Sequence, residues 1–369
     1  VDKTSNRYYV RNPYYFKVDT EGNQLPYIDE QQRLLVEDSE VFGLKAIAGD
    51  YTAAGQWLKL SDFPLYKREE SKGGYRVELF EGCGNQAYIS FNYSYQEDDV
   101  LKEIFNDVRF RKAVSLSIDR KEVNKQFFFN RAVPRQATAD PTVSFYEDWM
   151  GKYAAEKDVE QANKLLDEMG LEWDENHEYR LRPDGEVLRI PLFTSEGEFR
   201  DQIGELLPDY FKEIGIDCDF KLVDRSLLVT RRDANKLPAM IWNLQSVNEF
   251  SMFLDFIRMS PAGYESAARG WYNYFFTESE GIKPDEKAIE VVDLMREWQT
   301  SEPGSERYQE LGNKFLTIYT ENLWDIGTVG LVPNPVIIKD NVVNAPEEGS
   351  WGWGYRRFLP YGGDQWYFE

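Results

Sequence analysis

Histidine occurs once in the 369 residues, at His177, and cysteine twice, at Cys83 and Cys218. No CxxC, HExxH or paired His/Cys spacing is available for zinc, and neither thiol has a histidine close in sequence to activate it. Metal-thiolate chemistry is therefore disfavoured, and we expect neither a metal nor a cofactor. The two cysteines read as buried thiols in preference to a disulfide, which leaves the redox compartment open. Positive charge is also scarce: 43 Lys and Arg stand against 65 Asp and Glu, a net charge of −22. Such a surface repels polyanions, which argues against nucleic-acid and anionic-membrane partners. No apolar run approaches the ~20 residues of a membrane span, and mean hydropathy is −0.60. A phosphate-loop GxxxxGK[ST] and a GxSxG elbow are both missing. The opening VDKTSNRYYV has no basic stretch followed by an apolar one, so an export signal is expected to lie outside this chain.

The chain is nevertheless rich enough in apolar residues, at 42%, to exclude a disordered acidic protein. Over about the first 85 residues short β-rich runs alternate with turn signals (RYYV, NPYYFKVD, TEGNQLP, RLLVEDSEV), and the segment reads as extended, with GLKAIAGDYTAAGQWL as a short helical or loop segment between strands. Period 3.6 then takes over: Val100, Leu101, Ile104, Phe105, Val108, Phe110, Ala113, Val114, Leu116 and Ile118 recur at helical spacing. Asp158–Met169 reads as a helix with Asp158 at its N-cap and Gly170 at its stop. VLRIPLF, the helix 198–214 and IDCDFKLV form a strand–helix–strand unit, so an α/β layer is expected. Further helices are expected over 284–300 and 305–322.

Several motifs carry little. Gly82-x-Gly84-x-x-Ala87 matches a relaxed dinucleotide fingerprint, but the strand-like YISFNYS follows where a helix N-terminus would have to hold the pyrophosphate. The segments around Asp19 and Asp174 lack the glycine and terminal glutamate of a calcium loop. Asn92-Tyr93-Ser94 fits a glycosylation sequon inside an expected strand and is discounted. Glu278/Glu280 and Glu302/Glu306 are formal candidates for a glycosidase carboxylate pair, although 65 acidic residues supply many chance pairs on a solvated surface.

Aromatic content stands out, with 10 Trp, 23 Tyr and 23 Phe, several beside amides. Flat apolar rings flanked by Asn and Gln suit an amphipathic ligand, since the rings stack while the amides donate and accept hydrogen bonds. The candidate ligand contacts are Trp242, Asn243, Gln245, Asn248, Trp271, Tyr272, Tyr274 and Asn92. The competing reading is that these rings are core.

The stretch Phe105-Asn-Asp-Val-Arg-Phe-Arg-Lys-Ala-Val-Ser-Leu-Ser-Ile-Asp-Arg-Lys-Glu-Val123 resembles the signature helix of family 5 extracellular solute-binding proteins, the peptide-, nickel- and oligosaccharide-binding subunits of ABC importers. The resemblance extends to Asn12–Phe16, Gly22–Asp29, Ala132–Pro134, Asp158–Gly170 and Glu321–Gly327. It implies an α/β, type II periplasmic-binding-protein-like fold of two lobes, the first incomplete. Residues 1–87 would be the remainder of lobe I, 88–326 the second lobe with its signature helix at 107–123, and 327–369 the return to lobe I.

The function implied is capture of an oligosaccharide or oligopeptide and delivery to a permease, by a monomer located outside the cell, on its surface or in the periplasm, and without catalysis. In peptide-binding relatives a tryptophan-led segment carries an aspartate for the peptide α-amine. Here Trp242-Asn243-Leu244-Gln245 puts a neutral amide there, which tilts the expectation toward oligosaccharides. Nickel is disfavoured, since His177 lies in the polar stretch DENHEYR. The alternatives are a glycoside hydrolase working with a carboxylate pair in an aromatic cleft, and a scaffolding domain with its rings buried.

Overall fold

The computed structural model describes residues 6–36, 38–197, 199–244, 247–254, 259–277, 281–352 and 363–369. The chain forms two units: Val1–Gly82 with Pro333–Glu369, and Cys83–Val332. Among the described residues no helix is long and apolar enough to cross a membrane.

In the first unit a four-stranded sheet runs in the order Ser350–Trp351, Tyr75–Gly82, Asn334–Lys339, Ala53–Ala54. Its core joins Ala46, Leu58, Tyr66, Tyr75, Val77 and Ile337. Two helices stand in this region, Ser39–Ile47, which overlaps the stretch expected to be helical or loop, and Phe63–Gly73, which lies where extended structure is expected. The reason is in their ends. Asp38 accepts from the backbone N–H groups of Glu40 and Val41, Pro64 occupies the first turn of the second helix, where an N–H is dispensable, and Gly74 ends it at φ 62°.

The second unit is organised on a mixed sheet in the order Val133–Pro134, Val329–Gly330, Asn85–Phe91, Ala239–Leu244, Arg189–Thr194, Asp217–Leu222, with Asp325–Gly327 also paired to strand 85–91. Strands 189–194 and 217–222 are parallel, Ile190 opposite Cys218, with helix Arg200–Lys212 between them in sequence. This is the strand–helix–strand unit the spacing predicts. The helix lies close on the sheet because Gly204 faces it: a Cβ there would come within 2.4 Å of the Phe220 ring and 2.8 Å of Ile241 Cδ1. Gly204→Ala is therefore expected to cost about 1–3 kcal/mol by overpacking, outweighing alanine's ~1 kcal/mol helix advantage. Urea unfolding tests this, and a raised midpoint would refute it.

The signature segment is a correction. In place of one helix over 107–123 the chain forms Val108–Ser117 and Arg120–Phe128, broken at Ile118, whose ψ is 123°. Asp119 begins the second helix by accepting from Glu122 N–H at 2.9 Å. Buried Arg120 fastens the break, donating from Nε to Gly327 O (2.9 Å), from Nη1 to Ser115 O (2.8 Å) and Ala155 O (3.1 Å), and from Nη2 to Ser115 Oγ (2.8 Å). Buried Arg111 likewise donates to Asn322 O and Phe105 O, both at 2.7 Å.

Helix Val159–Glu168 has Asp158 at its N-cap, with Ala162, Leu165 and Leu166 inward. Glu286–Thr300 and Glu306–Asn322 are capped by Asp285 and Ser305 and join Trp298, Tyr308 and Phe315 around Phe145. Cys83 and Cys218 are free thiols, the first buried, the second half-buried, and burial pushes the Cys218 thiol up to about 12. His177 lies exposed in a turn, stacked on Trp173 at 4.2 Å.

Candidate binding residues of the second unit

Trp242 lies on strand 239–244, opposite Tyr88 of strand 85–91. Two guanidinium groups stand over its ring, Arg200 at 4.4 Å and Arg225 at 5.4 Å from the centroid. Arg200 is the first residue of its helix and is held in place by Ser195 O, Ser195 Oγ and Glu196 O. Its Nη1 also donates to Asn243 Oδ1 at 3.3 Å. Trp242, Asn243, Arg200 and Arg225 thus form one cationic, ring-centred cluster.

Asn92 and Trp271, expected to touch ligand, serve the scaffold instead. Asn92 is fully buried. Its Nδ2 donates to Asn235 Oδ1 and Leu237 O, both at 3.0 Å, while its Oδ1 accepts from Ser94 N–H and Oγ–H. Ser94 Oγ and Asn235 Oδ1 in turn accept the Gly270 N–H at the start of helix Arg269–Phe276. Trp271 is buried on that helix and packs on Tyr93 at 5.2 Å. A strand pairing separates this knot from Trp242: Asn92 N–H bonds Pro238 O, four residues before Trp242, a span of roughly 13 Å in a strand.

Tyr272 belongs to a third group. Arg269 lies over Tyr272 at 4.1 Å and over Tyr264 at 5.1 Å, and Arg232 lies over Tyr264 at 4.9 Å. The segment joining these residues is fixed to strand 85–91, since Tyr88 Oη donates to Glu265 O (3.2 Å) and Ser90 Oγ accepts from Ala267 N–H (3.2 Å). Tyr274 is exposed beside Phe275. Asn248 caps helix Glu249–Leu254 by accepting from Ser251 N–H at 2.9 Å. Gln245 lies outside the described residues.

Rings beside amides are neighbours in the sequence, whereas Arg200, Arg225 and Arg269 reach their rings only through the fold. Arg231-Arg232 ahead of the aromatic segments is the signal the sequence offers. Of the carboxylate pairs, Glu302 and Glu306 are exposed, and Glu278 and Glu280 lie outside the described residues. Among the described residues no cluster of three or more His, Cys, Asp or Glu could hold a metal.

One carboxyl in this sheet is displaced from its ordinary range. Asp325, on the strand beside 85–91, is raised to about 6, chiefly by burial, despite the hydrogen bonds from Tyr319 and Ser90. The Tyr319 hydroxyl donates to it at 2.6 Å.

Comparison with known proteins places these features in a family. The chain is 26% identical over 359 residues to the periplasmic alpha-galactoside-binding protein of Rhizobium meliloti (strain 1021), covering 91% of this chain and 49% of that protein. Among solved structures, an oligopeptide-binding protein OppA superposes with a TM-score of 0.76 at 35% identity, over 100% of this chain and 61% of that one. The periplasmic binding protein MelB of Agrobacterium fabrum C58, solved with stachyose, gives 0.71 at 19% identity over 93% and 52%, a likeness of fold. The chain therefore spans about half to three fifths of the length of these relatives. The model for bacterial extracellular solute-binding proteins, family 5 Middle, matches residues 1–257, and the chain belongs to that family.

Proposed function

We propose that this chain is part of the solute-binding component of an ABC importer, which captures an oligosaccharide or oligopeptide and hands it unaltered to a membrane permease. Membership of family 5 carries the reading. The protein acts as a monomer outside the cytoplasm, in the periplasm or at the outer face of the cell. Asn243 supplies an amide beside the buried Trp242 ring, with Tyr272, Tyr274 and Gln245 as further contacts, and Asn92, Trp271 and Asn248 hold the frame. The two arginines over Trp242 make that position hostile to a peptide α-amine, which favours sugars such as the α-galactosides and stachyose of the relatives' names. Ligand favours whichever conformation it binds more tightly, and binding needs no chemistry on the solute.

Thermal shift and calorimetry on the full-length protein test this with a panel of α-galactosides including stachyose and a panel of oligopeptides. At least one panel is expected to raise the melting temperature, and Tyr274→Ala, at an exposed ring, to weaken that binding tenfold or more, in line with loss of a stacking ring. If both panels leave the melting temperature unmoved, the reading fails. Release of reducing ends from a bound sugar would replace it with the hydrolase.

A further inference from the structure

A cleft of about 650 Å³ opens in the first unit between the loop 19–27 and residues 365–367, with Asn344 also in its wall. That volume lies within the roughly 300–1,000 Å³ of small-molecule sites. The wall is tied together. Tyr27 N–H donates to Asp364 O and Asn344 Nδ2 to Gln365 O, both at 3.1 Å, and Val342–Val343 pairs with Tyr367–Phe368. The Tyr27 and Tyr367 rings meet edge to face, their centroids 6.2 Å apart.

Most of what this wall leaves free is uncharged. Asp19 Oδ1 accepts from the N–H groups of Glu21 (2.9 Å) and Asn23 (2.8 Å), and Oδ2 from Asn23 Nδ2 (2.9 Å) and Tyr27 Oη (2.5 Å). Those bonds fill the roughly four acceptor positions of a carboxylate. Glu21 stands exposed, where salt screens its charge. Among the described residues the lining has no Lys or Arg, which leaves an anion nothing to pair with. Among those residues, too, no protein group meets Oδ1 of Asn23 or Asn344, the Gln365 side chain, or the Thr20 and Tyr367 hydroxyls. Together these groups donate and accept, as a ligand rich in hydroxyls does, and the exposed Tyr367 ring adds a flat apolar face.

We propose that this cleft binds one neutral sugar unit, its C–H face on the Tyr367 ring and its hydroxyls exchanging hydrogen bonds with Asn23, Asn344 and Gln365. It is a second site, built from residues of the first unit alone, and it does not depend on solute capture at the Trp242 group of the second.

Saturation-transfer NMR on the full-length protein tests it with millimolar methyl α-galactoside, methyl α-glucoside and methyl α-mannoside, and with choline as a cationic probe. At least one glycoside is expected to give a signal that falls at least fivefold in Tyr367→Ala and in Gln365→Ala, two exposed positions, with the circular dichroism of both variants unchanged. A glycoside signal that both variants leave intact comes from elsewhere and overturns the site. Silence from all three glycosides, or a response to choline alone, overturns it as well. Solute capture is judged separately, by the stachyose and peptide panels.

Discussion

Arg120→Met is expected to destabilise the second unit by about 3–5 kcal/mol, since buried acceptors left without a donor cost about 1–3 kcal/mol each. The methionine fills most of the same volume, so the loss measures hydrogen bonding more than packing. Three carbonyl oxygens, of Gly327, Ser115 and Ala155, and the Ser115 hydroxyl lose the arginine as donor, although Ser115 Oγ keeps Gln136 Nε2 and Ser115 O keeps the Ile118 N–H. Burial by itself opposes the guanidinium charge and lowers its pKa, so these bonds are what make the arginine tolerable there. Arg109→Met is the control. Its partner Asp107 is a neighbour on the same surface and its side chain is 43% exposed, so a change under about 1 kcal/mol is expected. Urea unfolding followed by circular dichroism separates the two, and similar small losses for both would show that Arg120 does not hold the helix break.

Asp325→Asn should stabilise the protein at pH 8 and leave it nearly unchanged at pH 4. The folded-state carboxyl titrates at about 6 against an ordinary 3.8, so the native state holds the proton more tightly than the unfolded chain. Its contribution is complete below about pH 4 and is lost as pH rises through 6, a total of about 3 kcal/mol from 2.2 pH units at 1.36 kcal/mol each. Burial is the main cause. Glu265 adds repulsion, and hydrogen bonds from Tyr319 and Ser90 work the other way. Asparagine keeps an oxygen for Tyr319 and removes the charge. With 65 acidic residues the whole pH profile is crowded, so the quantity to follow is the difference in melting temperature between variant and parent from pH 4 to 8. A difference that stays flat over that range would contradict the assignment.

Elements with strong periodicity and a cap residue were legible in the sequence. Asp158 before its helix and Gly170 after it, or Ser305 before 306–322, are local signals that the fold obeys. The break at Ile118-Asp119 was not legible, because the apolar spacing runs through it and the device enforcing it, Arg120 reaching Gly327, depends on a contact 207 residues away in sequence. In the first 82 residues only a short helical or loop segment over 43–58 was legible, and helix Phe63–Gly73 was hidden by aromatic and turn-rich composition. The binding candidates fared unevenly for a related reason. Asn, Trp and Tyr are as useful inside a protein as against a ligand, and only three-dimensional neighbours distinguish Asn92, tied to Asn235 and Ser94, from Asn243, which faces Arg200.

The two sheets differ in when their strands become available to a chain growing from its N-terminus. Strands 189–194, 217–222 and 239–244 come from one contiguous stretch, and their parallel layer can assemble as soon as it emerges. Strand 85–91 must wait for 325–327 and 329–330 before that flank is filled. The first unit waits longer still, because Asn334–Lys339 lies between Tyr75–Gly82 and Ala53–Ala54. Closing loops of this length is slow. Until Asn334–Lys339 has been made, Val77 and Tyr75 have no partner strand on that side, and the nascent chain exposes an apolar edge of the kind that chaperones cover.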